Sequence, residues 1–197
     1  MILFSRGKNA RLSSLSLDTQ DYFMKLPGHD TLRLILTQKA ILVEGPSDEL
    51  IVQKAFLDKY GKSALESRVD IISVQSLAFK RFLEIGRLLN LDIRVVTDND
   101  GDVNRLAEKY KDYLGNADTP KIKICYDGDE RYKTLEPQLL KANSLQLLNQ
   151  IFGTSFVDDI ELLDYMSKNK TDCALQIFNS SLLFNYPRYI IDSTLDK

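Results

Sequence analysis

Apolar residues follow two different spacing patterns along the chain. Short apolar runs, several of them ended by turn residues, predict buried strands over residues 40–44, 69–74, 92–98 and 121–125. Between these runs, apolar residues recur every three to four positions and predict amphipathic helices over residues 31–38, 47–61, 79–90 and 103–115. Alternation of strand and helix is typical of βαβ units, so the pattern predicts an α/β fold with a parallel sheet flanked by helices.

Changes in these spacing patterns divide the chain into three parts. Residues 1–30 are polar and serine-rich and reach a turn at Pro27-Gly28, which predicts a lead-in or linker rather than a core element. Residues 31–134 hold the strand and helix alternation and form the predicted α/β domain. Residues 135–197 keep helical spacing with few clusters of β-branched residues, which predicts a small helical segment packed against the sheet.

Composition places the chain among soluble globular proteins. Of its 197 residues 44% are hydrophobic and 27% are charged, so a full core can form without disulfides or structural zinc. Cys125 and Cys173 match no metal-ligand spacing and are predicted to be buried, in a reducing cytoplasm. No apolar stretch approaches the roughly 20 residues that cross a bilayer, and the N-terminus lacks a signal-peptide pattern. These features predict a cytoplasmic protein without a membrane partner.

The charge balance bears on nucleic-acid binding. With 26 basic and 28 acidic residues, the formal net charge is −2. Proteins that bind nucleic acid by neutralising phosphates alone are usually basic. Either nucleic acid is not the substrate, or metal ions and other parts of a larger enzyme supply the positive charge.

Two acidic clusters are predicted at one edge of the sheet. Glu44 ends the first strand and Asp48 lies in the first turn of the next helix, while Asp98 ends the third strand and Asp100 follows it. In open parallel sheets, functional groups gather beyond the carboxyl ends of the strands. Acids this close repel one another unless a divalent cation neutralises them, and Mg²⁺ prefers carboxylate ligands. The alternative is that these residues only form turns and start a helix, but two clusters at one edge favour a metal site.

The strings VEGPSDE (Val43–Glu49) and VVTDNDGD (Val95–Asp102) resemble the Toprim domain, which topoisomerases, bacterial primases and several nucleases share. Within that group, LPGHDTLRLILTQKAILVEGPSDELIVQKAF (residues 26–56) is similar to the OLD (overcoming lysogenization defect) family of ATP-dependent endonucleases. The similarity extends over about residues 22–197. It implies a Toprim-like (Rossmann-like) sheet, an endonuclease or nickase activity on DNA, and a layout of ATPase, Toprim nuclease and small helical segment.

The resemblance also implies roles for individual residues. Metal contacts are implied for four carboxylates, Glu44, Asp48, Asp98 and Asp100. Glu136 resembles a carboxylate that helps hold the second metal, and Lys170 resembles a lysine that the helical segment supplies to the cleavage site. The implied chemistry uses two Mg²⁺ or Mn²⁺ ions roughly 3.5–4 Å apart. Asp98 would bridge the ions, Lys170 would offset phosphate charge, and Glu44 has an alternative role as general base.

Glu136 and Lys170 each also have a simpler interpretation. Glu136 precedes Pro137 and is also explained as the start of a helix. A single lysine such as Lys170 is usually solvated. His29, the only histidine, lies in the lead-in turn and is read as structural or solvated, so histidine chemistry is not expected. The nine tyrosines and nine phenylalanines are scattered at helical spacing and are read as core residues rather than a base-stacking platform.

The sequence contains no G-x-x-x-x-G-K-[ST] phosphate loop, so ATP hydrolysis is not assigned to this chain. An ATPase domain is expected upstream in the full-length protein, where it would also supply DNA-gripping surface. A homo-oligomer is left open, and a role in phage defence rests on the family resemblance alone. Two alternatives remain: a Toprim enzyme that processes RNA or synthesises primers, and a non-catalytic regulatory module that retains the fold.

Overall fold

The computed structural model describes residues 2–5, 8–25, 28–74, 78–114 and 121–194, and within these ranges it contains six strands and ten α-helices. The strands are β1 (Ile2–Ser5), β2 (Lys8–Arg11), β3 (Lys39–Val43), β4 (Val69–Ser73), β5 (Asp92–Val96) and β6 (Ile122–Cys125). The helices are α1 (Leu17–Lys25), α2 (His29–Leu36), α3 (Pro46–Tyr60), α4 (Phe79–Leu89), α5 (Val103–Lys109), α6 (Leu135–Ala142), α7 (Leu145–Phe152), α8 (Asp159–Lys168), α9 (Lys170–Asn179) and α10 (Arg188–Ser193).

Four parallel strands form the central sheet in the order β4-β3-β5-β6. In register, Leu42 of β3 lies beside Ile72 of β4 on one side and Val95 of β5 on the other. Parallel neighbours require crossover connections, and α3, α4 and α5 provide them. The parallel sheet flanked by helices confirms the predicted fold class. Because β3 and β5 are neighbours, the segments that follow them emerge side by side.

Each face of the sheet has its own hydrophobic core. Successive residues of a strand point to opposite faces, so Leu42 packs with α2 and α4 while Ile41 and Val43 pack with α3 and the C-terminal helices. Leu162, Ile177 and Ile190 from the C-terminal helices are fully buried in this second core. The helical segment therefore packs on the sheet as expected, and its core runs without interruption across residue 134. The domain boundaries remain a prediction.

The N-terminal segment has more structure than its polar composition suggests. It forms the β1–β2 hairpin and α1, and it buries Leu15 and Phe23 in the first core. The Phe23 ring packs edge-on against Phe82 of α4, with 5.5 Å between ring centroids. These contacts correct the expectation of a lead-in rather than a core element, since two side chains of the segment belong to the first core. A few apolar side chains on a polar segment are enough to attach it to a helix.

Two helices near the sheet edge have informative ends. Pro46 occupies the first turn of α3, and Gly61 ends the helix in the left-handed region with φ of 67°. By contrast, α5 ends at Lys109 although the apolar spacing predicts a helix as far as Gly115, which lies outside the described residues. Tyr110 is fully buried there, in a turn rather than in the helix.

Three composition-based expectations concern single residues or segments. Cys125 and Cys173 are buried and form no disulfide, as predicted, and burial raises the pKa of each thiol to about 11. His29 is solvent-exposed, with 84% of its side chain accessible, which agrees with its solvated interpretation. Within the described ranges, no helix combines the length and the apolar character that crossing a bilayer requires.

Candidate metal centre

Glu44 and Asp98 meet at the carboxyl edge of the sheet. Glu44 directly follows β3 and Asp98 lies two residues after β5, and these strands are neighbours. The Asp98 backbone N–H donates to Glu44 Oε1 at 3.1 Å, and the Thr97 hydroxyl donates to the same oxygen at 2.5 Å. Two donors therefore fix one oxygen of Glu44 beside Asp98, in the juxtaposition that the sequence predicted.

Asp48 enters the site from the first turn of α3. Its Oδ2 accepts the backbone N–H of Gly45 at 3.1 Å, which holds the carboxyl group over the turn that follows β3. Burial, and after it the charges of Glu44 and Glu136, raise the pKa of Asp48 to about 7. Asp48 is therefore close enough to Glu44 to feel its charge, and its role is not limited to starting the helix.

Asp98 has the most strained electrostatic environment of the group. Burial raises its pKa to about 8, and the negative charges of Asp48, Glu44, Glu136 and Asp100 add to that increase, in this order. Its Oδ1 is buried and accepts no hydrogen bond from any described residue. A buried carboxylate oxygen without a donor is costly, and it marks a place where a cation would be stabilised.

The helical segment contributes Glu136 and Lys170. Glu136 lies in the first turn of α6 with only 8% of its side chain exposed, and the Thr134 hydroxyl donates to its Oε2 at 2.9 Å. Lys170, the first residue of α9, places its Nζ 3.1 Å from Glu136 Oε1. The lysine keeps 51% of its side chain exposed. It therefore lies at the border between the carboxylates and solvent, and the simple solvated interpretation does not describe it.

The two remaining acids of the TDNDGD turn behave differently. Asp100 is exposed, adopts a left-handed backbone with φ of 52°, and donates its N–H to the Lys133 carbonyl at 3.2 Å. Asp102 caps α5 by accepting the Arg105 N–H at 2.8 Å. The turn-forming interpretation therefore applies to Asp102, while Asp100 contributes negative charge to Asp98.

Asn99 supports the site, and the sequence analysis missed it. Its side chain is buried, and its amide nitrogen donates to the carbonyls of Asp127, Asp129 and Tyr132 at 2.8, 3.2 and 3.2 Å. Its Oδ1 accepts the Gly101 N–H at 2.8 Å. The middle residue of D-N-D thus ties the acidic turn to the loop that follows β6. A buried amide with several partners leaves no periodic signal, so only the choice of Asn between two acids hinted at it.

The loop after β6 carries a further acidic pair, Asp127 and Asp129. Lys141 of α6 lies 3.2 Å from Asp127 Oδ2 and 3.4 Å from Asp129 Oδ2, and Arg131 pairs with Asp129 at 2.8 Å. Hydrogen bonds from Arg131 and Lys141 hold the pKa of Asp129 well below its usual range. These acids are neutralised by the protein itself.

The residues around Asp98 offer oxygen ligands suited to a divalent cation. Their donor chemistry fits, because carboxylates from three separate stretches of the chain repel one another around an oxygen that no donor satisfies. Among the described residues, no three His, Cys, Asp or Glu side chains converge on one point in this arrangement. An ion bound here would therefore draw the carboxylates together by side-chain rotation.

The comparisons agree with this placement. The family described as "Overcoming lysogenization defect protein-like, TOPRIM domain" matches residues 35–100, which run from the end of α2 to the acidic turn. Residues 35–100 of the chain are therefore similar to an OLD-like Toprim domain. The match includes four acids of the candidate metal centre, Glu44, Asp48, Asp98 and Asp100; together with Glu136 they make up the carboxylate group. No curated protein matches the sequence.

Solved structures extend the likeness beyond the Toprim domain. The C-terminal region of the Burkholderia pseudomallei OLD protein aligns with a TM-score of 0.60 at 17% identity, covering 80% of this chain and 95% of that one. The C-terminal region of the Xanthomonas campestris pv. campestris OLD protein aligns with a TM-score of 0.56 at 18% identity, covering 80% and 92%. At these identities the likeness concerns the fold. It extends past the Toprim domain into the helical segment.

Proposed function

We propose that this chain is a metal-dependent nuclease module that hydrolyses DNA phosphodiester bonds. The observation that carries the proposal is the unsatisfied Oδ1 of Asp98, buried among carboxylates that raise its pKa to about 8. Clusters of acids with raised pKa values occur where a protein binds a cation or handles protons. Several nucleases contain Toprim domains, and the OLD-like match of residues 35–100 favours phosphodiester hydrolysis as the reaction here.

The carboxylates fit two Mg²⁺ or Mn²⁺ ions. We assign metal contacts to five residues, Glu44, Asp48, Asp98, Asp100 and Glu136. Asp98 is the proposed shared ligand because the charges of Asp48, Glu44, Glu136 and Asp100 all act on it. When bound, the ions would stabilise the attacking and leaving oxygens of an in-line displacement.

The chain's own groups prepare this chemistry. Thr97 and the Asp98 N–H hold one oxygen of Glu44, so the carboxylate is oriented before any ligand arrives. Lys170 neutralises Glu136 in the absence of a cation. We propose that a bound cation takes over that neutralisation and that the lysine then offsets charge on the phosphate.

DNA is the proposed substrate, and an ATPase domain is the proposed partner. Both follow from the likeness to OLD proteins, whose C-terminal regions are the matched structures. A net charge of −2 gives this chain little electrostatic attraction for a polyanion. Basic surface on a partner domain would provide it.

Cleavage of supercoiled plasmid in Mn²⁺ tests the proposal. We expect the wild type to nick the plasmid and Asp98→Ala to be inactive, while Asp159→Asn, which removes a charge from the exposed start of α8, cleaves normally. An RNA substrate in parallel tests the RNA-processing alternative. Equal cleavage by the wild type and Asp98→Ala would contradict the site.

Calorimetric titration with Mn²⁺ tests the metal centre independently of cleavage. The wild type should bind, and Asp98→Ala should bind more weakly. A titration without heat at millimolar Mn²⁺ would favour a regulatory module that retains the fold.

A further inference from the structure

A cavity of about 450 Å³ lies beyond the end of β6, between α6 and α10. Tyrosines form much of its wall: Tyr126 after β6, Tyr186 before α10, and Tyr189 within α10. Two cationic side chains, Lys141 and Arg188, complete the wall. The tyrosines were predicted to be core residues, and Tyr189 does belong to the second core with Tyr186 packed against it, but all three also line this cavity.

The cavity adjoins the carboxylate group. Tyr189, which lines the cavity, is buried, and its hydroxyl donates to Gln138 Oε1 at 2.5 Å. Asp98 and Asp48 contribute to the raised pKa of the Tyr189 phenol, after the larger effect of burial. Tyr189 and its partner Gln138 both line the cavity, and α6 carries Gln138 together with Glu136 of the candidate metal centre, so the two sites lie close together.

The aromatic wall is held in place by contacts outside the cavity. The Tyr186 hydroxyl donates to Asp58 Oδ2 at 2.6 Å, and its ring contacts Phe184 at 5.2 Å between centroids. Lys141 is fixed between Asp127 and Asp129 and also lies 4.4 Å from the centroid of the Tyr132 ring. Rings and cations that are positioned before binding lose little conformational entropy when a ligand arrives.

We propose that this cavity holds one nucleobase of the strand that the nuclease cleaves, next to the nucleotide at the carboxylate group. The proposal rests on the proposed function and names a substrate contact for it. Planar bases of any sequence stack on tyrosine rings. Carboxylates in the wall, Asp127 and Asp192, accept hydrogen bonds from exocyclic amino groups. Arg188, with 87% of its side chain exposed, contacts the adjoining phosphate.

Binding is measured without divalent metal, so that it does not depend on cleavage. The probe is a fluorescein-labelled single-stranded DNA of about 12 nucleotides, followed by anisotropy in EDTA at low salt. Tyr186→Leu removes the ring and should weaken binding about tenfold, because base stacking contributes on that scale. The matched control Tyr186→Phe keeps the ring and loses only the bond to Asp58, and it should bind within about twofold of the wild type.

A second variant keeps the proposal testable if Tyr186→Leu fails to fold. Arg188→Ala changes an exposed side chain and should weaken binding by a few-fold, with a reduced salt dependence and an unchanged melting temperature. Wild-type affinity in both Tyr186→Leu and Arg188→Ala would overturn the proposal. So would a wild type that binds no oligonucleotide at millimolar concentration.

Oligonucleotides with a single abasic position locate the contact. At the position whose base enters the cavity, removing the base should weaken binding to the wild type about tenfold and leave binding to Tyr186→Leu unchanged. Independent, additive losses at every position would overturn the proposal. Free dAMP distinguishes the source of the base: saturation by dAMP with no oligonucleotide binding would assign the cavity to free nucleotides instead of a strand.

The two proposals fail separately. Cleavage that depends on Asp98 but not on Tyr186 would leave the nuclease and remove the cavity from its substrate contacts. Oligonucleotide binding that depends on Tyr186, in a protein that neither binds Mn²⁺ nor cleaves, would leave the base contact and remove the nuclease.

Discussion

Two loops at the same edge of the sheet carry the same short pattern and have opposite electrostatics. Asp98-Asn99-Asp100 follows β5 and Asp127-Gly128-Asp129 follows β6, the next strand in the sheet. In the first, Asp98 is buried with an unsatisfied oxygen and a pKa raised to about 8. In the second, Arg131 and Lys141 donate hydrogen bonds to Asp129 and lower its pKa.

The two loops differ in whether side chains of the protein supply the positive charge that balances their acids. The second loop has a lysine and an arginine within ion-pair distance, so its acids are balanced inside the protein. The first has only Lys170, which reaches Glu136 rather than Asp98. A D-x-D pattern alone therefore does not indicate a metal site. The absence of protein cations around the acids, among the residues described, is the more informative property.

The largest expected effect separates the two loops by activity. Asp98→Asn keeps the shape of the side chain and removes the charge, and we expect it to lower plasmid cleavage in Mn²⁺ by at least about 100-fold. Asp129→Asn should stay within about twofold of the wild type, because Asp129 is already neutralised by Arg131. The measurement is the initial rate of nicking at saturating Mn²⁺. A comparable loss in both variants would mean that the two loops form one functional unit.

The second effect concerns the link between the loops. Asn99→Ala removes three donated hydrogen bonds and the one accepted from Gly101, leaving buried carbonyls unsatisfied. We expect the free energy of unfolding to fall by about 2–3 kcal/mol, read from urea denaturation. Cleavage at a temperature where the variant is folded should also fall, because Asp98 and Asp100 lose their support.

A matched asparagine separates stability from positioning. Asn149 accepts from Thr154 and Phe156 and donates to the Phe156 carbonyl, away from the carboxylates. Asn149→Ala should lose similar stability and cleave normally once folded. If both variants lost activity to the same extent, Asn99 would have no specific role at the site.

These residues also show how far the sequence reaches. The four strands of the parallel sheet, the fold class and the proximity of Glu44 to Asp98 were predictable, because the apolar runs and the acids that end them are local features. The β1–β2 hairpin was not predicted. The site roles of Glu136 and Lys170 came only from the family resemblance, and their mutual contact was not predicted, since it joins α6 to α9.

Three findings had little or no sequence signal that could have revealed them. Asn99 acts through backbone carbonyls about 30 residues away, which no spacing rule connects. Asp129 is neutralised by Lys141, which belongs to a different element. The predicted extent of α5 was too long because Tyr110 and Tyr113 keep helical spacing, although the chain has already turned there.

A third prediction uses the opposite pKa shifts. In the metal-free folded state Asp98 keeps its proton up to about pH 8, whereas its ordinary pKa is 3.8. The folded state thus binds more protons between these values, and its stability falls as pH rises through that window. For Asp129, whose folded pKa is lowered, the stability contribution is present above the ordinary pKa and is lost only in acid.

Urea denaturation in EDTA between pH 6 and 9 checks this sign. The wild type should lose on the order of 2 kcal/mol across that range. Asp98→Asn should lose less, with the remaining loss coming from Asp48, and Asp129→Asn should follow the wild type. Stability that does not change from pH 6 to 9 in the wild type would contradict the raised pKa of Asp98.

The smallest expected effect comes from removing a cation at the second loop. Arg131 is largely solvent-exposed, so its pair with Asp129 contributes little, and Arg131→Gln should leave the urea unfolding midpoint nearly unchanged. Lys141 would still hold Asp127 and Asp129, so Mn²⁺ should not gain a second binding site. Calorimetric titration of Arg131→Gln beside the wild type measures this. A new Mn²⁺ site in that variant would show that a single exposed arginine decides which of the two loops binds metal, and that the buried position of Asp98 matters less than its lack of a partner.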